Sequence, residues 1–151
     1  MSDYVPVSVK GVYFVSTVTG PQAVVFLSEH GDRMVPIYIG PAEAISIDVA
    51  MRRETTPRPM THDLLKTIME NFRIGIDRII IDDLDDQVFY ARLMLKDGSD
   101  RQIEIDARPS DCIALAVRTD ASIFIERSIL DKVAIDRKDI EAAGNLEDFV
   151  E

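Results

Sequence analysis

Tryptophan is absent from this chain, and it has one cysteine and two histidines among 151 residues. A single cysteine, Cys112, leaves no internal disulfide to form, which suits a reducing compartment. So few histidines and cysteines leave little material for a zinc site, and neither HExxH nor paired CxxC occurs. No apolar run approaches the ~20 residues that a membrane helix needs. The opening MSDYVPVSVKGVYF lacks the basic run and apolar core of a signal peptide. These absences predict a soluble, cytoplasmic protein that does not contact membranes. Base is also scarce, with 17 Lys and Arg against 27 Asp and Glu. A net charge of −10 argues against nonspecific coating of nucleic acid, because phosphate contacts need excess cation.

The charge is uneven. Half of the net −10 sits in the last thirteen residues, DIEAAGNLEDFVE. The expected organisation is one α+β domain over residues 1–138 and an acidic, solvated tail over 139–151. In the opposite sense, MRRETTPRP carries Arg52, Arg53 and Arg58 against Glu54 alone, so a local basic site on an acidic body is allowed.

What is there is strand-rich. Val5, Val7 and Val9 alternate, and so does VYFVSTV. A turn is expected at TGPQ, and EHGD, with Gly31, reads as a four-residue hairpin loop. Pro36 in the following strand suggests an edge or a bulge. In GPAEAISIDVAMRRE the alternation of Ile45, Ile47, Val49 and Met51 favours a strand. Gly40 as cap, Pro41 at the first helical position and Glu43 in the first turn favour a helix, and three boundary signals prevail. TTPRP is a rigid linker. MTHDLLKTIMENF sets Leu64, Leu65, Ile68, Met69 and Phe72 on one stripe of an amphipathic helix that Thr61 is placed to cap. IDRIIID and QVFYARLMLK read as strands around a DDLDD turn, which lacks the spacing and glycine of a calcium loop. RQIEID returns as a strand, SDCIALAVR forms a helix apolar nearly all round, SIFIER is a short strand, and DKVAIDRKDIEAAG reads as helical. The expectation is a mixed, largely antiparallel sheet with hairpins, packed against two or three helices.

Two segments share a plan. PRPMTHDLL and ARPSDCIAL each run Arg-Pro, then a hydroxyl (Thr61 or Ser110), then an acid in the first turn (Asp63 or Asp111). The proline biases Arg58 and Arg108 to extended backbone, the hydroxyl can cap, and the acid complements the helix dipole. All of that is helix-start grammar. The two arginines and His62 exceed it. A helix start with free amides is a natural anion site, and an arginine adds a bidentate fork for phosphate or carboxylate. The plainer account pairs Arg58 and Arg108 with nearby aspartates to fix the fold, and leaves His62 and His30 solvated. Cys112 reads as a packed, inert thiol.

Taken in order, VPIYIGPAEA, RPMTHDLL, FYARL, IDARPSDCIALAVR and a short IFIE strand resemble the bifunctional nuclease domain family, over roughly residues 7–130. The resemblance implies an α+β fold, homo-oligomers and hydrolysis of phosphodiester bonds in RNA or DNA. It assigns no catalytic set, so motif positions carry over rather than roles. Cleavage by a metal route would need carboxylates for Mg²⁺ or Mn²⁺ and a cation at the phosphate. Glu43, Asp106 and Asp111 are the expected metal ligands, and no organic cofactor is implied. Arg58, His62, Asp63, Arg108 and Asp111 are the catalytic candidates, with the two Arg-Pro helix starts converging on one cleft. The alternative is a non-enzymatic regulatory oligomer that binds an anion or a partner protein at the same place.

Overall fold

The computed structural model describes residues 3–139 and 144–145. In chain order the elements are β1 (Tyr4–Thr17), β2 (Gly20–Ser28), β3 (Arg33–Ile39), α1 (Pro41–Met51), α2 (Thr61–Asn71), β4 (Gly75–Asp85), β5 (Val88–Lys96), β6 (Gln102–Ala107), α3 (Pro109–Thr119), β7 (Ile123–Glu126), α4 (Arg127–Val133), β8 (Ile135–Asp136) and β9 (Gly144–Asn145). The strands form one mixed sheet in the order β6-β5-β4-β7-β1-β2-β3-β8, with β9 also paired to β1. Only the β4–β7 pairing is parallel among these described strands. The fold is α+β, as the alternation patterns require.

One strand joins the two halves of the sheet. β1 pairs with β7 through Tyr4–Val7 and with β2 through Ser8–Thr17. The register shifts between Val9 and Gly11, where Gly11 holds φ +154 and a Cβ would meet the Tyr13 ring at 3.0 Å. The EHGD loop forms as expected, with Gly31 at φ +80. Pro36 pairs with Phe26 on one side, and β8 covers only Arg33 and Met34 on the other, so its missing N–H costs no ladder bond.

The core lies between the sheet and α1 and α3. Cys112, Ile113, Ala114, Leu115 and Ala116 are all buried, against Ile79, Ile81 and Ile125 from the sheet. α1 is a helix despite its alternating apolar residues. Gly40 is its cap, Pro41 its first residue, and Arg52 follows its last turn. Burial of Ala44 and Ile47 against α3 outweighs the strand-like pattern.

Four expectations change. DDLDD is not the turn: β4 continues to Asp85, and the tight turn is Asp86–Gln87, both at positive φ as a two-residue hairpin demands. The first hairpin turns at Val18–Thr19, so Gly20, Pro21 and Gln22 already belong to β2. The DKVAIDRKDIEAAG helix ends at Val133, and Ile135 and Asp136 pair with β3; positions 140–143 lie outside the described residues. Neither Thr61 nor Ser110 is a cap. Met60 and Arg108 occupy those positions, and both hydroxyl residues lie within their helices. Most of the expected acidic tail, 139–151, also lies outside the described residues. No described helix is long and apolar enough to cross a membrane.

α2 departs most from its sequence pattern. His62 is its one buried residue, with Met69 partly buried on the core. Leu64, Leu65, Ile68 and Phe72 are 55%, 41%, 45% and 73% exposed.

Candidate functional site

Three helices begin at one place. The first turns of α1, α2 and α3 open onto a cavity of about 590 Å³, lined by Glu43, Ser46, His62, Leu65, Arg108 and Asp111 among others. The reason is local. Gly40-Pro41, Pro59-Met60 and Arg108-Pro109 each hold an extended residue at the cap, so the chain enters each helix abruptly from a loop or a strand. Three positive dipole ends then lie around one space.

Arg108 is the hub. Its Nε donates to Asp111 Oδ2 at 2.9 Å and its Nη2 to Asp111 Oδ1 at 3.2 Å. Its Nη1 donates to Glu43 Oε1 at 3.1 Å. The side chain is nonetheless 66% exposed, whereas Glu43 and Asp111 are 19% and 32% exposed. The guanidinium therefore covers two carboxylates with its other face in water. The Asp111 hydrogen bond raises the arginine's pKa.

Behind it stands a buried relay. His62 Nε2 lies 2.9 Å from Asp111 Oδ1, and His62 Nδ1 lies 2.7 Å from Ser46 Oγ. Burial pulls the Asp111 carboxyl up, but hydrogen bonds from Arg108 and His62 together outweigh it and hold the group below the ordinary aspartate range. An ionised Asp111 fixes the ring: Nε2 donates to it, and in the neutral imidazole Nδ1 accepts the Ser46 hydroxyl proton. Ser46 is a site residue that sequence reasoning missed. Nothing local marks a mid-helix serine whose partner comes from another element.

The two Arg-Pro helix starts do meet, joined by a third from α1. Glu43, His62, Arg108 and Asp111 come together at the cavity. The other candidates stand apart from its lining. Asp63 accepts from the Met60 N–H at 2.8 Å and from Arg118 Nε at 2.8 Å. The Arg118 hydrogen bond, then the Met60 amide, hold its carboxyl below the ordinary range. Arg58 is exposed on the linker, and its carbonyl accepts from Thr56 Oγ1 at 2.7 Å. Asp106 is exposed on β6. Cys112 is buried, and burial pushes its thiol up to about 12, which makes it inert. His30 sits on the exposed hairpin loop.

Among the described residues no group of three or more His, Cys, Asp or Glu is arranged to hold a metal ion. Glu43 and Asp111 are the carboxylates in reach, and both already face Arg108. The donor set as it stands does not make a divalent-metal site. A larger cavity, about 840 Å³, lies at the hairpin ends beside Tyr38, Asp86, Phe89 and Lys132, and contains none of the candidate residues.

Comparison with known proteins bears on the chemistry. A model described as the bifunctional nuclease domain matches residues 24–138. An uncharacterized protein of Mycobacterium tuberculosis is 37% identical over 135 residues, which is 86% of this chain and 80% of that protein. Bifunctional nuclease 1 of Oryza sativa subsp. indica is 30% identical over 110 residues, 71% of this chain but 33% of the rice protein. Bifunctional nuclease 2 of Oryza sativa subsp. japonica is 24% identical over 111 residues, 34% of its length.

Proposed function

Because the chain belongs to the bifunctional nuclease domain family, we propose that it hydrolyses phosphodiester bonds of RNA or DNA at the cavity where α1, α2 and α3 begin. The observation that carries this is Arg108: an exposed fork at the convergence of three helix N-termini, held in place by Glu43 and Asp111. A phosphate placed there meets the guanidinium at the positive ends of three helices, which stabilises charge as it grows on the phosphoryl oxygens. His62 and Asp111 orient one another behind the fork, and Ser46 holds the far side of the ring. The acting species in this reading is a cytoplasmic homo-oligomer. Dependence on Mg²⁺ or Mn²⁺ belongs to the metal route, for which Glu43 and Asp111 would have to exchange Arg108 for the ion, so no step is assigned to it. The second reading, a non-enzymatic oligomer that binds an anion or a partner protein there, rests on the exposed face of Arg108, which needs no metal and no chemistry.

The two separate on cleavage of labelled single-stranded RNA and DNA by purified protein in Mg²⁺, in Mn²⁺ and in chelator. Cutting by the wild type, reduced about a hundredfold or more in folded Arg108→Ala, is the expected result; loss of one charge-stabilising donor has that size. No cutting by either protein moves the assignment to the binding module, and equal cutting by both removes Arg108 from the chemistry. Loss of cutting in chelator would bring the metal route back.

A further inference from the structure

The hydroxyl that holds the His62 ring is also placed for the ring to activate it. Ser46 Oγ lies 2.7 Å from His62 Nδ1, and His62 Nε2 lies 2.9 Å from Asp111 Oδ1. A nucleophile, a base and an orienting carboxylate thus stand in series, each within hydrogen-bond reach of the next. A hydrolase triad is recognised by that geometry and those roles, whatever the order of its members along the chain. We propose that Ser46 is the attacking nucleophile of the cavity, with His62 as its general base, and that phosphodiester cleavage runs through a covalent ester on Ser46. The inference rests on the phosphodiester reading of this cavity and adds the nucleophile that the reading lacks.

Three observations separate this arrangement from a hydrogen bond that only fastens two helices. The first is the tautomer. Asp111 takes the Nε2–H, so the neutral ring turns a lone pair toward the serine hydroxyl. An imidazole in that state can accept the hydroxyl proton. The second is the direction of the hydroxyl. A serine inside a helix ordinarily turns out to solvent or back onto the carbonyl one turn earlier. Ser46 Oγ instead meets His62, sixteen residues away on another helix, and bonds to no carbonyl of α1 among the described residues. The third is access. Ser46 and His62 are 3% and 7% exposed, yet both line the cavity that Arg108 also lines. Leu65, Leu93 and Leu115 give the same cavity an apolar wall, which limits bulk water there and strengthens the charges that act inside.

The reaction balances with water alone. Ser46 Oγ bonds to phosphorus as its proton passes to His62 Nδ1. The phosphorus–oxygen bond to the leaving nucleotide breaks, and that oxygen takes the proton from His62. The other nucleotide stays joined to Ser46 through its phosphate. Water then gives a proton to His62 as its oxygen bonds to phosphorus. The phosphorus–Oγ bond breaks, and Ser46 recovers the proton. The products are an alcohol and a phosphate monoester. Arg108 supplies the positive charge that the phosphoryl oxygens need at each displacement. Asp111 is a positioning residue, which holds the ring and faces the imidazolium when it forms.

A fluorophosphonate tests the nucleophile directly, because an activated serine displaces fluoride from phosphorus and keeps the label. The full chain, in chelator, is treated with an alkyl fluorophosphonate and digested for tandem mass spectrometry. The expected result is a single label, on Ser46. His62→Gln should slow labelling about a hundredfold or more, the size of a general base's contribution. Ser46→Ala, which suits a helix interior, should take no label and lose cleavage. Circular dichroism checks each fold, and His62→Asn replaces His62→Gln if the latter misfolds. A wild type without label on Ser46, or labelling at an undiminished rate in folded His62→Gln, overturns the proposal. Cleavage of RNA or DNA by folded Ser46→Ala at the wild-type rate also overturns it, and leaves the phosphodiester reading standing with another nucleophile. Label on Ser46 in a wild type that cuts no nucleic acid does the converse: it supports the nucleophile and overturns the nucleic-acid reading.

Discussion

Arg108 and Arg118 stand at opposite ends of α3, and each holds an aspartate near the start of a helix. Their settings are opposite. Arg118 is 5% exposed, donates to Asp63 at 2.8 Å and spends a second donor on the Ala114 carbonyl. Arg108 is 66% exposed and presents a face to water while it grips Asp111 and Glu43. The first ties α2 to α3 and is closed off from solvent. The second is bound tightly enough to be positioned and openly enough to be reached. The same residue pair, Arg with Asp, is structural in one place and a candidate binding fork in the other, and burial makes the difference.

Stability measurements can break this contrast. Arg118→Ala should cost the most, about 1–2 kcal/mol, because it removes a buried guanidinium that links α2 to α3, while Asp63 stays partly solvated and keeps the Met60 N–H. Urea unfolding would read this as a lower midpoint at unchanged slope; a midpoint within error of wild type would remove Arg118 from the structural class. The acid limb is next. Asp63 and Asp111 both have folded pKa values below the ordinary one. Each contributes stability that is complete above the unfolded carboxyl value near pH 4 and is lost as pH falls through the depressed folded value. The wild-type midpoint should therefore fall below about pH 4, and Arg118→Ala should flatten that decline by relieving Asp63. A parallel decline in both proteins would show that Asp63 gains nothing from the pair. The smallest effect belongs to Arg108→Ala, within about 1 kcal/mol of wild type, since exposed ion pairs contribute little. A loss as large as that of Arg118→Ala would make Arg108 a structural residue and weaken the functional reading.

Much of this was legible in the sequence, for identifiable reasons. Helix starts are written locally, so Gly40-Pro41 announced α1 against a perfect alternation, whereas α3 begins at Pro109, ahead of the Ser110 cap that the sequence suggested. The convergence of His62 with Asp111 and Arg108 followed from matching grammar at two starts. Glu43 was legible as a first-turn acid, but not as the second carboxylate on Arg108, because that contact crosses two elements. Ser46 was missed for the same reason. Asp63 and Arg118 show the converse failure. An acid in a first turn and a base in a last turn each look complete as dipole partners, so nothing in the text of the chain predicts that they meet. Arg58 shared the plan of Arg108, but among the described residues no carboxylate grips its side chain on the exposed linker.

β1 has a consequence for how the molecule is made. Val5 pairs with Ile125 and Val7 with Ile123, while Val12 pairs with Val25 close by. During synthesis β1 can zip its distal half onto β2 as soon as β2 is made. Its proximal half must wait until β7 is translated. Until then the unfilled slot between β4 and β1 keeps the nascent sheet in two pieces, and long-range closures of this kind are the slow ones. β1 is thus also a latch, and the sheet shuts only once β7 has been delivered.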